Sequence, residues 1–246
     1  MRSEGYIELA LRILYCDADC VAVNKIPGEA VEGAGKSMVD LPRLLAAELT
    51  PAENALALPT AVHRLDVPVS GCAVFARTAA ALASLNAAFA NNTVEKIYWA
   101  VVELPEPAAM QTAAENEKIE LVHWIQFDSK RNKSIAFDTP GPGRKKAVLR
   151  YRQIGRGDNY LFLEVSLVTG RHHQIRTQLA KSGLHIKGDL KYGARRSERN
   201  GGIRLHARSI SFPSPVVNGK HITIQADPPL NDNLWQAFQI KVKGKK

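Results

Sequence analysis

The sequence predicts an α+β fold built on a mixed, mostly antiparallel sheet flanked by helices and loops. Three observations predict it. Strand-type runs recur along the chain, with only three or four helices among them. Short turns rich in Gly, Pro, Asn and Asp join many of these runs, as antiparallel neighbours require. The 246 residues are 45% hydrophobic and 23% charged, a globular composition with enough length for a sizeable core.

Each element has its own justification. Residues 11 to 25, LRILYCDADCVAVNK, read as strand, turn, strand, with Asp17-Ala18-Asp19 at the turn and Pro27-Gly28 as a breaker. A helix is predicted over 40 to 49: Asp40 suits the N-cap, Pro42 the first turn, and Leu41, Leu44, Leu45 and Leu49 form its stripe. The stretch from Pro51 to Pro59 reads as a loop. A second, alanine-rich helix covers about 78 to 91, with Leu82, Leu85 and Phe89 at helical spacing and Asn91-Asn92 at its end. VEKIYWAVV, residues 94 to 102, is a β-branched and aromatic strand broken by Pro105 and Pro107.

A polar middle follows, and then a basic, turn-rich hairpin or loop at 128 to 146. Strands come next at 147 to 153 and 160 to 168, with Gly155 and Gly157-Asp158-Asn159 marking the turn between them. A strand then enters Thr169-Gly170, and a short helix carrying Ile175 and Leu179 stops at Gly183. Residues 205 to 212 and 221 to 225 are the last strands. A helix around 233 to 240 precedes the basic tail 241 to 246, expected to be solvated and frayed. No clear linker divides the chain, so 1–246 reads as a single domain.

The net charge of +9, with 33 Lys and Arg against 24 Asp and Glu, points to a polyanionic partner, most simply nucleic acid. Neither a signal-peptide h-region nor an uncharged run of the ~18 residues that span a bilayer is present. Cys16, Cys20 and Cys72 offer no paired zinc set and read as buried or half-buried free thiols of a reducing cytosol.

Two stretches concentrate chemistry. In Val62-His63-Arg64-Leu65-Asp66, followed by Ser70-Gly71, a carboxylate stands among apolar neighbours. Two readings of it stand at this point, a reactive carboxylate and an ordinary Arg-Asp surface pair. Thr169-Gly170-Arg171-His172-His173-Gln174-Ile175-Arg176 opens a helix with cationic side chains, a good anion site. His172 and His173 are adjacent, and side chains one apart on a helix do not face each other, so no metal site is expected there. No GxGxxG, P-loop, HExxH or nucleophile elbow occurs. A carboxylate kept ionised by a cation in a dry pocket is one remaining route to nucleophilic chemistry.

Several blocks, in order, resemble the RluA-like family of RNA pseudouridine synthases. ILYCDADCVAVNKIPG resembles the family's opening strand pair, and HRLDVPVSG its catalytic motif. EKIYWAVV resembles the strand K-x-Y-x-A-x-V, VTGRHHQIRTQLAKSGLHIKGDLKYG the TGR-x-HQIR block with its GD-x-x-YG end, and LHARSISFPSP the closing block. Together they cover about 11 to 230.

The resemblance implies a pseudouridine-synthase-like sheet with a central active-site cleft, one catalytic domain and no S4-like domain. It implies isomerisation of uridine to pseudouridine in structured rRNA or tRNA, without cofactor or metal, by a cytoplasmic monomer. By motif position Asp66 would be the nucleophile, attacking either the uracil ring or C1′ of the ribose. Tyr98 would stack on the base and could assist removal of the C5 proton, and Arg176 would pair with Asp66. Arg64 would help hold the flipped-out nucleotide or fill the space it leaves, and His63 and Arg171 would be substrate-binding residues with it. The plainer alternatives are a core role for Tyr98, a structural one for Arg176, His173 and Gln174, and solvated faces for the basic stretches. Val69, His172, Leu184-His185 and Ser214 depart from the family pattern and bear on substrate choice. An RNA-binding or chaperone-like protein with a vestigial site is the alternative function.

Overall fold

The structure is a computed structural model and describes residues 8–33, 39–51, 53–104, 117–217, 219–229 and 232–243. After a 3-10 turn at Leu9–Arg12 come β1 (Ile13–Cys16) and β2 (Cys20–Lys25). Their turn is held by Asp17, whose Oδ1 accepts from the amides of Asp19 (2.9 Å) and Cys20 (2.7 Å). Two short strands, β3 (Glu29–Ala30) and β4 (Val39–Asp40), pair in parallel. Helix α1 (Leu41–Glu48) starts at Asp40, which accepts from the Arg43 amide, and buries Leu41 and Leu45.

β5 (Ala55–Ala61) lies where the sequence reads as a loop. Among the described residues it pairs only with β6 (Ser70–Thr78), with a register shift between Ala55 and Thr60, which places Pro59 on an edge where its missing N–H is harmless. Helix α2 (Ala79–Ala90) starts at Thr78, whose hydroxyl accepts from the Ala81 amide at 3.2 Å.

β7 (Glu95–Glu103) follows, and the polar middle at 105–116 lies outside the described residues. The basic stretch expected as hairpin or loop is a real hairpin. β8 (Ile119–Asp128) turns through Asn132 at φ 45° into β9 (Lys133–Phe137), and Asp128 caps that turn by accepting from the Lys130 and Arg131 amides. β10 (Lys145–Arg156) and β11 (Tyr160–Leu167) form the next hairpin. Gly155, expected in the turn, lies within β10 at a register shift, where an added Cβ would press on the Lys241 side chain. Helix α3 (Gln174–Lys181), a 3-10 turn at Leu190–Tyr192, β12 (Leu205–Pro213), β13 (His221–Gln225) and α4 (Asn233–Lys243) complete the order. The tail expected to be frayed from 241 is helical as far as Lys243.

Where the sequence reads as a single domain, the contacts group into two compact units, Met1–Val94 with Ala207–Asp227, and Glu95–His206 with Pro228–Lys246. In the first unit the strand order is β1-β2-β6-β12, with β5 on β6 and β13 on β12. Its core gathers Cys20, Cys72, Val74, Leu85, Phe212 and Ile224. Cys20 and Cys72 are buried and their thiols are pushed up to about 12, chiefly by burial, while Cys16 is exposed, contrary to expectation.

In the second unit the order is β7-β11-β10-β8-β9, every neighbour antiparallel. Leu161, Leu163, Val165 and Leu167 alternate along β11 with Tyr160, Phe162, Glu164 and Ser166; the first three are buried and Leu167 is half-buried. Phe162 on the opposite face is buried as well, because α4 covers it with Phe238 at 5.3 Å between ring centroids. No helix among the described residues is long and apolar enough to cross a membrane.

Candidate active site

The first unit presents Asp66 on a tight turn between β5 and β6. Val62 and Leu65 are buried and anchor the turn, and the Val69 amide closes it by donating to the Asp66 carbonyl at 3.0 Å. Asp66 is half-buried and Arg64 is exposed, with Nε 3.0 Å from Glu32. His63 turns toward β6 instead: Nε2 accepts from the Val74 amide at 3.1 Å, and its ring stacks on Phe89 at 5.5 Å. With Nε2 accepting, the neutral ring carries its proton on Nδ1. Behind the turn, Gly71 has φ +110°, and an added Cβ would collide with the Ala207 backbone. Only glycine satisfies both conditions.

Beneath this turn lies a buried charge set that the sequence reading did not single out. Lys25 is 0% exposed, and its ammonium donates to the carbonyls of Ile26 (3.2 Å), Val67 (3.0 Å) and Val69 (2.5 Å). Two of those carbonyls belong to the turn that carries Asp66, so Lys25 ties that turn to the end of β2. Burial pulls the lysine down to about 8; the Glu29 and Asp66 carboxylates oppose that pull and Arg12 adds to it. Arg12 and Glu29 form a buried bidentate pair at 2.9 and 2.8 Å, and Glu29 also accepts from the Ile26 amide. The signal was present as Asn24-Lys25 ahead of Pro27-Gly28, but a lysine at the end of a strand reads as a surface residue.

The second unit holds the other predicted residues. Tyr98 is buried in β7 opposite Val165 of β11. Lys96 stands two residues before it, on the same face of the strand, and burial lowers its pKa. The turn into α3 is sewn by Gln174. Its Oε1 accepts from the Arg171 amide (2.9 Å) and the Thr169 hydroxyl (2.8 Å), while Nε2 donates to the Val148 carbonyl. The structural reading of Gln174 is therefore met. Arg171 is exposed, and its Nε donates to the Lys146 carbonyl at 3.0 Å.

Arg176 is 5% exposed, and its Nε and Nη2 donate to the two carboxylate oxygens of Asp189 at 2.7 and 2.8 Å. The family resemblance implies Asp66 as the partner of Arg176; Asp189, in the quoted GDLKYG block, had no role assigned to it. The same block supplies Tyr192, whose ring lies 4.9 Å from the Arg176 guanidinium. The Tyr192 hydroxyl accepts from the Ser134 amide at 2.8 Å and lies 2.9 Å from His173 Nδ1. Gly193 has φ +94°, and a Cβ there would meet the His185 ring.

One expectation for this segment fails. His172 and His173 do face each other, with ring centroids 3.8 Å apart at 28°. They precede α3 instead of lying within it, and His173 adopts a left-handed conformation at φ 51°, which swings the two rings together. Among the described residues no group of three His, Cys, Asp or Glu side chains is placed to hold a metal ion.

Chemically, the first unit offers a carboxylate on a turn secured from below by a buried ammonium. The second offers a guanidinium fixed by a carboxylate and an aromatic ring. Comparison with known proteins adds to this. A family model described as RNA pseudouridylate synthase matches residues 19–181. An uncharacterized RNA pseudouridine synthase of Zymomonas mobilis is 31% identical over 224 residues, covering 90% of this chain and 95% of that one. A tRNA pseudouridine synthase C of Haemophilus ducreyi is 30% identical over 246 residues, covering 93% and 94%. Other relatives are named ribosomal large subunit pseudouridine synthases. Among solved structures, the human RNA pseudouridylate synthase domain containing 1 has a TM-score of 0.69 at 20% identity, covering 98% of each chain, a likeness of fold.

Proposed function

This chain belongs to the RNA pseudouridylate synthase family, whose members isomerise uridine to pseudouridine in RNA, and we propose that Asp66 is its nucleophile. The observation that carries the proposal is the turn itself: a half-buried carboxylate in the HRLD motif, on a loop whose carbonyls are gripped by the Lys25 ammonium.

In this reading the target uridine leaves the RNA stack, at a cost of a few kcal/mol. Asp66 attacks the uracil ring or C1′. The N1–C1′ bond breaks, the base turns, a C5–C1′ bond forms, and the bond to Asp66 breaks to return the free carboxylate. C5 loses its proton and N1 gains one, so substrate and product are isomers and the atoms balance without a co-reactant. Tyr98 supports the base with its ring. Arg176, oriented by Asp189, supplies the cation of the catalytic set. Arg64 and Arg171, both exposed, contact phosphates, and His63 holds the turn that carries Asp66. Residues 1–246 act as one catalytic domain, a cytoplasmic monomer acting on rRNA or tRNA.

The test is a pseudouridine map of RNA from a deletion strain supplied with wild-type or Asp66→Ala protein. The wild type restores a missing pseudouridine and Asp66→Ala does not, although the variant still binds RNA. Full restoration by Asp66→Ala would remove Asp66 as the nucleophile.

A further inference from the structure

A ladder of rings runs through the second unit. At its outer end is Phe127, near the tip of β8 and 48% exposed. Its ring lies 4.2 Å from that of His172, which stacks on His173 at 3.8 Å. His173 meets the edge of Tyr192 at 5.6 Å, and the Arg176 guanidinium covers the Tyr192 ring. The ladder thus begins at solvent and ends on the buried Arg176–Asp189 pair.

His172 is fixed in place. Its Nδ1 lies 2.9 Å from the Ser134 hydroxyl, which itself donates to the His172 carbonyl at 2.8 Å. With the Ser134 proton spent on that carbonyl, Nδ1 carries the hydrogen and the ring keeps one orientation. A rigid, partly solvated pair of rings is costly to expose unless something flat covers it.

The rim of the pair is cationic. Lys130 lies in the β8–β9 turn, Lys133 reaches over the Tyr192 ring, Lys191 donates to the Asn132 carbonyl of the same turn, and Arg171 adjoins His172. Among the described residues no carboxylate lies within 4 Å of any of these four cations. Asp128 is the nearby acid; it is engaged by the turn amides and stands 3.8 Å from Arg131. Flat rings ringed by unneutralised cations complement an unstacked base with its phosphates.

We propose that the Phe127–His172 face, with Lys130, Lys133, Arg171 and Lys191 at its rim, is a stacking platform for one unpaired base of the RNA substrate. The inference rests on the reading of the protein as an enzyme acting on RNA. It adds a preference for unpaired nucleotides, set by stacking and phosphate contacts.

The probe is a stem–loop RNA with 2-aminopurine in its unpaired loop, compared with the same sequence as a full duplex. Wild-type protein binds the stem–loop more tightly than the duplex and quenches the loop fluorophore. Phe127→Leu weakens stem–loop binding by about tenfold and abolishes the quench, while Phe127→Tyr, which keeps a ring, retains both. Circular dichroism of the two variants confirms that both are folded. Equal binding and quenching by Phe127→Leu overturns the platform, as does a wild type without preference for the loop, or one that binds neither RNA. Asp66→Ala separates the two proposals. A platform failure leaves its loss of product intact, and a failed Asp66 assignment leaves the quench intact.

Discussion

Lys25 carries its ammonium where no solvent reaches it, and this gives the protein a distinctive alkaline stability profile. Its pKa falls from 10.5 to about 8 on folding, so between these values the unfolded chain binds more protons than the folded one. Stability therefore rises with pH once pH passes about 8. The buried thiols act in the opposite sense. Cys20 and Cys72 move from 9.0 to about 12, so above pH 9 the unfolded chain releases their protons first and stability falls. The unfolding free energy from urea curves should climb from pH 8 to 9, by at most about 1.4 kcal/mol per pH unit from the lysine, and then decline. Lys25→Met should lose the climb and keep the decline; a variant that still climbed would mean that some other group is titrating. At this scale the sequence shows chemistry more readily than burial. Asp66 was legible because an acid between Leu65 and Val67 is conspicuous. Lys25 was not, since nothing in Val23-Asn24-Lys25 says that three carbonyls will converge on the amine.

At the scale of the element, local rules wrote most of what is observed. Asp40 and Thr78 cap α1 and α2 where the sequence places the two helix starts, and Gly183, at φ +75°, follows the end of α3. What escaped depended on partners distant in the chain. β5 became a strand because β6 offered it an edge, and Phe162 was buried because α4 returned to cover it. The pairing of Arg176 with Asp189 is of this kind, joining α3 to the segment before the 3-10 turn. Both groups are buried, and removing Asp189 takes from Arg176 the carboxylate that accepts from its Nε and Nη2. Asp189→Ala should cost about 3–5 kcal/mol in urea unfolding. Asp189→Asn keeps the shape and one acceptor, so it should cost less. In both variants pseudouridine formation should fall further than RNA binding, because Arg176 loses its orientation. Loss of binding in proportion to loss of product would instead make Asp189 an RNA-contact residue.

For the whole molecule, the excess of +9 is the property that composition alone disclosed, and its meaning depends on where the cations sit. Some are spent inside the fold, as Arg12 on Glu29 and Arg204 on Glu198 and Asp232. Those contribute nothing to a distant polyanion. Lys130, Lys133, Arg171 and Lys191 lie together on the second unit without carboxylate partners among the described residues, and they remain available to phosphates. If each neutralises one phosphate of single-stranded RNA, the logarithm of the affinity falls with the logarithm of salt at a slope of about −2.8. Raising salt from about 50 to 200 mM should then weaken stem–loop binding roughly 50-fold. Cations elsewhere that also meet the RNA would steepen the slope. The double variant Lys133→Ala, Lys191→Ala should flatten it by about 1.4, two phosphates' worth, while leaving the preference for loop over duplex to Phe127 and His172. Affinity and selectivity are thus assigned to different atoms of one surface. A double variant that lost the loop preference but kept the salt slope would reverse that assignment.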